Sequence, residues 1–298
     1  MKASGTRGKI PIRKQTIKEA AQGYAFVMPS LIGFSLFFVI PFIISLYYCF
    51  TKGIGGTEFV GLENFIDLLK SESFTLAAKN TLIFNGISVP VIIIFSLAIA
   101  LLLNGGIKGT SYFRMIFVMP LVIPVASIIL VWNIAFKEYG FFSGIITDFG
   151  FEPIDWLGSK WSVFILLLLF VWKNCGYNVV LFLAGLNNIP KEYYEAARID
   201  GAGKITIFKS ITLPYLIPSG FFVFIMSIIN SFKVFREAYL LAGSYPYEDL
   251  YMLQHFMNNN FFNLSYQRLT TSAFLMAIFI CALVVILFKV EARFKDNF

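Results

Sequence analysis

Long uninterrupted runs of apolar residues dominate the pattern of this 298-residue chain. Six such runs are present, at about 24–50, 81–103, 113–136, 162–186, 215–237 and 270–288. A helix that crosses a bilayer needs about 20 mostly apolar residues, and continuous rather than alternating runs exclude a β-barrel. Pro29 and Pro41 in the first run, and Pro120 and Pro124 in the third, predict kinks. The pattern therefore predicts an all-α polytopic membrane protein with six transmembrane helices.

The composition supports this prediction and sets the domain boundaries. The chain is 58% hydrophobic and only 14% charged, with a mean hydropathy of +0.75, whereas soluble chains carry roughly 25% charged residues. The first run is too long for the core of a signal peptide, so we expect a retained span. We expect a basic N-terminal segment at 1–23, a six-span domain at 24–288 and a short tail at 289–298.

Lys and Arg residues are distributed unequally between the two sides of the predicted bundle. Fifteen lie in the N-terminal segment, in 104–114, in 187–214 and in the tail, whereas six lie in 51–80, 137–161 and 238–269. Because cytoplasmic loops carry the excess of positive charge, both termini and loop 187–214 are predicted to be cytoplasmic. The net charge of +7 reflects this bias, and we expect no nucleic-acid partner.

The cytoplasmic loop between the fourth and fifth spans predicts two short helices with a glycine between them. Pro190 suits the first position of a helix, where its missing N–H costs nothing, and 191–199 is rich in Ala and Glu. Gly201 is expected to end this helix because it adopts a left-handed φ without a Cβ penalty. A second helix is expected over about 203–213, and Pro214 is expected to end it before the fifth span.

This loop fits the pattern E-A-A-x3-G-x9-I-x-L-P at every fixed position. The residues concerned are Glu195, Ala196, Ala197, Gly201, Ile211, Leu213 and Pro214, with Asp200 directly before the glycine. The pattern resembles the cytoplasmic coupling loop, the EAA loop, of permease subunits in binding-protein-dependent ABC importers. The strings FVGLENF at 59–65 and SFKVF at 231–235 also resemble the carbohydrate-type, maltose and multiple-sugar members of that family.

The resemblance implies a type I ABC importer permease (MetI-like) fold in a bacterial cytoplasmic membrane. The implied partners are a second homologous permease subunit, two cytoplasmic ATPase subunits and an extracytoplasmic sugar-binding protein. The EAA loop of such permeases sits in a cleft of the ATPase. There Glu195 would pair with a basic residue, Ala196 and Ala197 would allow close approach, and Gly201 would set the angle between the helices. ATP and Mg would be bound by the ATPase, and we expect no catalytic residue, metal or cofactor in this chain.

The string at 201–206 only superficially resembles a phosphate-binding loop. Such a loop requires G-x-x-x-x-G-K-[ST] after a strand. Arg198 occupies the position of its first glycine and Ile205 the position of its hydroxyl residue. We therefore expect the energy for transport to come from another polypeptide.

Polar and aromatic residues inside the fourth and fifth spans predict the substrate path, because polar groups within a membrane tend to face a cavity or a partner. The candidates are Trp172, Lys173, Asn174, Tyr177 and Asn178 in the fourth span and Asn230, Ser231 and Lys233 in the fifth, with Asn85, Ser88 and Trp132 as weaker ones. Amide groups and aromatic rings suit a sugar. The amides could equally form hydrogen bonds between helices without touching a ligand.

The cations of these spans leave further alternatives open. Lys173 is expected either to face a wet cavity or to pair with the companion subunit. Lys233 and Arg236 either extend outward to solvent or line a vestibule. These three side chains could attract a phosphate or a uronic acid, so import of glycerol-3-phosphate or a uronate is the alternative to a neutral sugar.

An ion-gradient-driven secondary transporter or channel is the alternative outside the importer class. Such a protein would use carboxylates within its spans. The six apolar runs contain none except Glu237, at the outer edge of the fifth. The predicted function is therefore that of a permease subunit.

Two features of the external loops complete the predictions. Leu62, Phe65, Ile66 and Leu69 lie at i, i+3, i+4 and i+7, which is typical of an amphipathic helix. This helix is expected to lie on the outer interface, to cap the bundle or to dock a receptor. His255, the single histidine of the chain, is expected to be solvated.

Overall fold

The computed structural model describes residues 14–53, 55–105 and 109–295, with side chains omitted at 14–18 and 293–295. Most of the basic residues of the N-terminal segment, Lys108 and the last residues of the tail therefore lie outside the described residues. The described elements are α1 (Lys14–Phe34), α2 (Ile40–Cys49), β1 (Thr51–Lys52), β2 (Glu58–Phe59), α3 (Glu63–Leu69), α4 (Glu72–Asn104), α5 (Thr110–Val122), α6 (Val125–Phe136), α7 (Phe141–Asp148), α8 (Ser162–Asn187), α9 (Lys191–Ile199), α10 (Lys204–Ile207), α11 (Leu213–Phe232), α12 (Phe235–Ala242), α13 (Leu253–Phe262) and α14 (Tyr266–Lys295).

Three short elements join or flank these helices. A π-helical turn at Ser35–Val39 connects α1 to α2, a second at Phe208–Thr212 connects α10 to α11, and a 3-10 turn lies at Glu248–Leu250. Strands β1 and β2 pair antiparallel, with Thr51 opposite Phe59 and Lys52 opposite Glu58. The protein is therefore helical, with one minimal hairpin in the first external loop.

The prediction of six membrane-spanning helices is confirmed in the part of the chain that the structure describes. The stretches long and apolar enough to cross a bilayer are Glu19–Cys49, Glu72–Asn104, Val125–Asp148, Ser162–Asn187, Lys204–Ala242 and Tyr266–Ala292. The third predicted span, 113–136, is divided into α5 and α6. Pro124 causes this break, because the residue before a proline disfavours the helical conformation and Ile123 is extended, with φ −73° and ψ 133°. In the first span Pro29 stays inside α1 and a π-helical turn precedes Pro41, so the kink there stays a prediction.

Helix α8 packs against α4, α5 and α11, and most of its length is apolar because these neighbours cover it. Its N-terminal half contributes Ile165, Leu166, Leu169 and Phe170 to one core cluster, and its C-terminal half contributes Val179, Phe182, Leu183 and Leu186 to another. A Cβ atom at Gly176 would lie 1.9 Å from the carbonyl oxygen of Phe117. Glycine is therefore required where α5 crosses α8.

The predicted amphipathic helix is α3, in which three residues of the apolar stripe are exposed while the fourth, Phe65, packs its ring 6.3 Å from that of Phe274 on α14. Leu62, Ile66 and Leu69 are exposed, whereas Asn64 and Leu68 face inward. The Asn64 side chain donates hydrogen bonds to the carbonyl oxygens of Cys49 at 3.0 Å and Thr51 at 2.9 Å. It thereby ties α3 to the end of α2. The outer interface and receptor docking stay as predictions for the exposed stripe.

The expectation that His255 is solvated is wrong. Its side chain is fully buried on α13, where Nδ1 accepts a hydrogen bond from the backbone N–H of Met252 at 3.2 Å. The ring packs edge-on against Phe235 at 5.0 Å and near Tyr251 at 5.9 Å. Burial lowers the pKa of His255 to about 4. His255 therefore lies within a helix and packs its ring against α12.

Candidate functional site

The segment 190–214, which we call the elbow, contains the first helix that the sequence predicts, as α9. Pro190 lies one position earlier than expected, as the N-terminal cap, with φ −58° and ψ 134°. Gly201 has φ +78°, so its left-handed conformation is as predicted. The Gly201 N–H donates to the Arg198 carbonyl at 3.1 Å and the Ala202 N–H donates to the Ala197 carbonyl at 2.9 Å. These two bonds form a Schellman motif and satisfy carbonyls at the end of the helix.

The second half of the elbow differs from the prediction, because Pro214 does not end a helix. Helix α10 continues through the π-helical turn at Phe208–Thr212 into α11, and Pro214 lies in the first turn of α11. A proline inside a helix removes one backbone donor and presses on the carbonyl of the preceding turn. A wider π-helical turn directly before it accommodates both effects. The second arm of the elbow is therefore the continuous beginning of the fifth span.

The tyrosines of α9 attach the elbow to the bundle. The hydroxyl oxygens of Tyr194 and Thr212 lie 3.2 Å apart, within hydrogen-bonding distance, and the Tyr194 ring packs on the core cluster of α4, α8 and α11. The ring of Tyr193 lies 5.4 Å from that of Tyr215. Both attachments connect α9 to the start of α11, so the two arms of the elbow are coupled.

The rest of the elbow faces outward. None of the residues of α9 is buried. Glu195, Ala196 and Asp200 are exposed and Ala197 is half-buried, while in the second arm Leu213 is exposed and Ile211 and Pro214 are half-buried. Two aliphatic side chains beside the glycine are almost fully exposed, Ile199 at 86% and Ile205 at 72%. A cleft of about 350 Å³ separates α9 from the end of α4, and Glu195, Arg198 and Asn104 are among its lining residues.

Most charged candidates of the fourth and fifth spans meet at one cavity of about 180 Å³, which we call the charged cavity. It lies between α8, α11 and α12 and is lined by Phe170, Lys173, Asn174, Asn230, Lys233, Val234, Arg236 and Glu237. Lys173 forms an ion pair with Glu237, and the two side chains are 18% and 9% exposed. Lys173 therefore lines a cavity, the first of its two predicted alternatives, and its charge is paired with an acid of this chain. Lys233 and Arg236 line the cavity and are also exposed, so they combine the two predicted alternatives of extending to solvent and lining a vestibule.

The other predicted path residues do not line the charged cavity. Asn178 is buried and donates to the Ser227 hydroxyl at 2.9 Å, and Ser231 is buried and donates to the Ile228 carbonyl at 2.8 Å. Trp172 is exposed at the surface of the described bundle, with its ring 6.1 Å from that of Trp132. Tyr177 is half-buried on α8. Asn178 thus makes the hydrogen bond between helices that the sequence left open as an alternative.

The polar side-chain atoms of two candidates are buried without a hydrogen-bond partner among the described residues. The amide nitrogen and oxygen of Asn85 and the hydroxyl of Ser88 have no hydrogen-bond partner there. Both lie on α4, one turn apart. Their burial makes a polar position inside the bundle, separate from the residues that line the charged cavity.

Glu237 is the functional candidate that sequence reasoning missed. In the sequence Glu237 stands out only as the single carboxylate within the apolar runs. In the structure it provides the counter-charge for Lys173. The available signal was energetic, since a lysine at mid-span requires a counter-charge or water. The spacing between the two residues could not identify the partner.

Comparison with known proteins adds independent findings to this geometry. Residues 87–294 match the family model described as "Binding-protein-dependent transport system inner membrane component". The trehalose/maltose transport system permease protein MalF of Thermococcus litoralis is 36% identical over 78% of this chain and 81% of its own length. The arabinooligosaccharides transport system permease protein AraP of Bacillus subtilis is 37% identical over 75% of this chain and 72% of its own length.

The fold is also found in a solved structure. A crystal structure of a bacterial ABC transporter involved in the import of the acidic polysaccharide alginate contains a chain that matches with a TM-score of 0.83. The match covers 94% of this chain and 98% of that one, at 22% sequence identity. It confirms the expected importer permease fold.

Proposed function

Because this chain belongs to the family of binding-protein-dependent transport system inner membrane components, we propose that it forms half of the translocation pathway for a sugar or oligosaccharide in an ATP-driven importer. A second, homologous permease subunit forms the other half. An extracytoplasmic binding protein delivers the cargo. Two relatives more than 35% identical to this chain are named as permeases for trehalose and maltose and for arabinooligosaccharides, and these names support a saccharide as cargo.

The single observation that carries the proposal is the exposed elbow. A helix with no buried residue and two exposed isoleucines beside its terminal glycine presents the kind of apolar surface that a partner protein covers. We assign that role to the ATPase subunits, two copies of which hold ATP and Mg. In this arrangement Glu195 pairs with a basic residue of the ATPase, and Ala196 and Ala197 allow its close approach.

The proposed cycle is alternating access. Closure of the ATPase dimer on ATP moves the elbow, and the attachments of Tyr194 and Tyr193 pass the movement to the start of α11. The permease pair then opens outward to receive the cargo from the binding protein. After ATP hydrolysis the cavity between the permease subunits opens to the cytoplasm. The predicted orientation places both termini of the chain on that side.

A charge reversal at Glu195 tests the coupling. We expect Glu195→Lys to abolish ATP-dependent sugar uptake by the complete transporter in proteoliposomes while membrane insertion stays normal. Glu192→Lys is the matched control, because Glu192 is an equally exposed acid on the same helix. Normal uptake by Glu195→Lys would show that the coupling assignment is wrong.

The same assay separates the proposal from an ion-gradient mechanism. ATP is placed in the vesicle lumen, which corresponds to the cytoplasm. Uptake that requires this ATP and continues in the presence of an uncoupler supports the importer. Uptake that continues without ATP and collapses with the uncoupler supports a secondary transporter instead. The family match favours the first outcome.

A further inference from the structure

We propose that the charged cavity binds the negatively charged group of an acidic saccharide, with Lys233 and Arg236 as the residues that contact it. This inference rests on the proposed function, because it names the chemical class of the cargo that uses the same pathway. The shared chemistry is an anionic oxygen group on a sugar, whether a carboxylate or a phosphate.

The balance of charge around the cavity is the first step. Three cations and one anion line it: Lys173, Lys233 and Arg236 against Glu237. Glu237 already pairs with Lys173 and is only 9% exposed, so it is engaged away from the other two. Across the described ranges, neither Lys233 nor Arg236 forms an ion pair. Two uncompensated positive charges therefore face one space.

The surroundings make this charge effective. Phe170 and Val234 form apolar parts of the wall, and both belong to the buried core cluster beside the cavity. Lys233 and Arg236 are themselves exposed, so salt screens their attraction for an anion, while the apolar wall lowers the effective dielectric constant on one side of the cavity. An anion that enters the cavity is thus attracted by both cations.

The donor geometry suits an anionic oxygen group on a sugar. A guanidinium such as that of Arg236 matches the two oxygens of a carboxylate or phosphate, and an ammonium such as that of Lys233 adds a point charge. Asn174 uses its side-chain nitrogen to donate to the Phe170 carbonyl at 2.9 Å, which leaves its oxygen as an acceptor for a sugar hydroxyl. Asn230 adds a second amide to the lining.

The size of the cavity limits what it holds. Its volume of about 180 Å³ is below the range of about 300–1,000 Å³ typical of sites that enclose a drug-sized ligand. The cavity therefore takes the charged group and part of one ring, and the rest of an oligosaccharide extends beyond it. It acts as a selective subsite rather than as the whole pathway.

A binding measurement on the complete transporter tests the proposal. The probes are cellobiose, which is neutral, cellobiouronate, which carries a carboxylate, and cellobiose 6′-phosphate. Binding is measured by calorimetry on the transporter in nanodiscs without its binding protein. We expect at least one acidic disaccharide to bind about tenfold or more tightly than cellobiose, as one charge-assisted contact provides, and its binding to weaken with salt. The carboxylate and phosphate arms show which source of negative charge the site accepts.

Variants assign the effect to the two cations. Lys233→Gln and Arg236→Gln are each expected to weaken binding of the acidic disaccharide about tenfold and to leave cellobiose binding unchanged. Lys70→Gln is the control, because Lys70 is an exposed lysine of the first external loop away from the cavity. Equal binding of the three probes, no binding of either acidic probe, or unchanged acidic binding by both Gln variants overturns the proposal.

Two further readouts separate this inference from a protein contact at the same cations and from the proposed function. If Lys233→Gln and Arg236→Gln instead release the companion permease during purification, the cations belong to a protein contact and the proposal is overturned. If the transporter takes up a neutral sugar with ATP but shows no preference for the acidic probes, the inference fails and the proposed function stands. If acidic binding depends on Lys233 and Arg236 but uptake needs no ATP, the proposed function fails and the subsite stands.

Discussion

The elbow and the charged cavity are the two regions of this permease with the densest polar chemistry, and they hold their charges in opposite ways. In the elbow, Glu195 is exposed and the helix that carries it has no buried residue. In the cavity, Glu237 is nearly buried and is paired with Lys173 from another helix. The proposed function gives the acid of the elbow a partner outside the chain, whereas the acid of the cavity is satisfied within it. Substitutions in the elbow should therefore change transport more than stability, and substitutions at the ion pair should change both.

The largest effect on stability is expected from Glu237→Gln. This change removes the single acid of the cavity lining and leaves Lys173, Lys233 and Arg236 facing one another. Removing one partner of a buried pair costs about 3–5 kcal/mol. The thermal unfolding midpoint of the purified transporter measures the loss.

Two controls sharpen this prediction. Lys173→Gln should cost less, because Lys233 and Arg236 remain in the same cavity to compensate Glu237. The double change Lys173→Met with Glu237→Leu should recover much of the stability, since apolar residues can replace a buried pair. Equal losses in the two single variants would show that the charges of the cavity act independently.

A pH-dependent loss of about 3 kcal/mol is expected from His255. The ring packs at 5.0 Å against Phe235, the first residue of α12, which also carries Glu237. The folded protein keeps His255 neutral down to its pKa of about 4, whereas the unfolded chain binds the proton near the ordinary value of 6.5. The unfolded state thus binds more protons between these values, so stability is complete above pH 6.5 and falls as the pH drops towards 4.

Unfolding midpoints measured between pH 7 and 4 test this behaviour. In His255→Asn the side-chain oxygen can accept the Met252 N–H in place of Nδ1, and no titrating group remains there. The part of the pH dependence that is due to His255 should disappear in this variant. An unchanged pH profile in His255→Asn would contradict the assignment.

A smaller effect on stability, of about 1–2 kcal/mol, is expected from Gly201→Val, because a branched residue is strained at φ +78°. Gly201→Asn should cost less, since asparagine tolerates the left-handed region. A Cβ atom at this position meets nothing within 4 Å in the described part of the chain. If Gly201→Asn folds normally but abolishes ATP-driven uptake, the obstruction must come from the partner. Normal uptake by both variants would argue against contact at the glycine.

The contrast between the two regions also explains how much could be predicted from the sequence. The first arm of the elbow depends on local chemistry: Pro190 precedes a helix and Gly201 ends it, and both lie within one residue of the predicted position. The merging of α10 with α11 was not predictable in the same way. A proline ordinarily ends or kinks a helix. The sequence pattern does not indicate the π-helical turn that accommodates Pro214.

The cavity and the burial of His255 depend on contacts between distant segments. Lys173 and Glu237 are 64 residues apart, so their pairing follows from the packing of α8 against the region after α11. The spans could be predicted because each needs only its own apolar residues. Which polar side chains of those spans would meet depends on how the helices rotate about their axes.

The smallest effect is expected from Tyr194→Phe, which removes the hydroxyl that lies 3.2 Å from the Thr212 hydroxyl. One such hydrogen bond contributes about 0.5–1.5 kcal/mol, and the phenyl ring keeps its packing on the core cluster. The unfolding midpoint should therefore change little. If this bond passes movement of the elbow to α11, the variant should hydrolyse more ATP for each sugar imported. Tyr139→Phe is the control, because Tyr139 is an exposed tyrosine outside the elbow. Equal ratios of ATP to sugar in the two variants would leave the aromatic packing alone as the connection between the elbow and the fifth span.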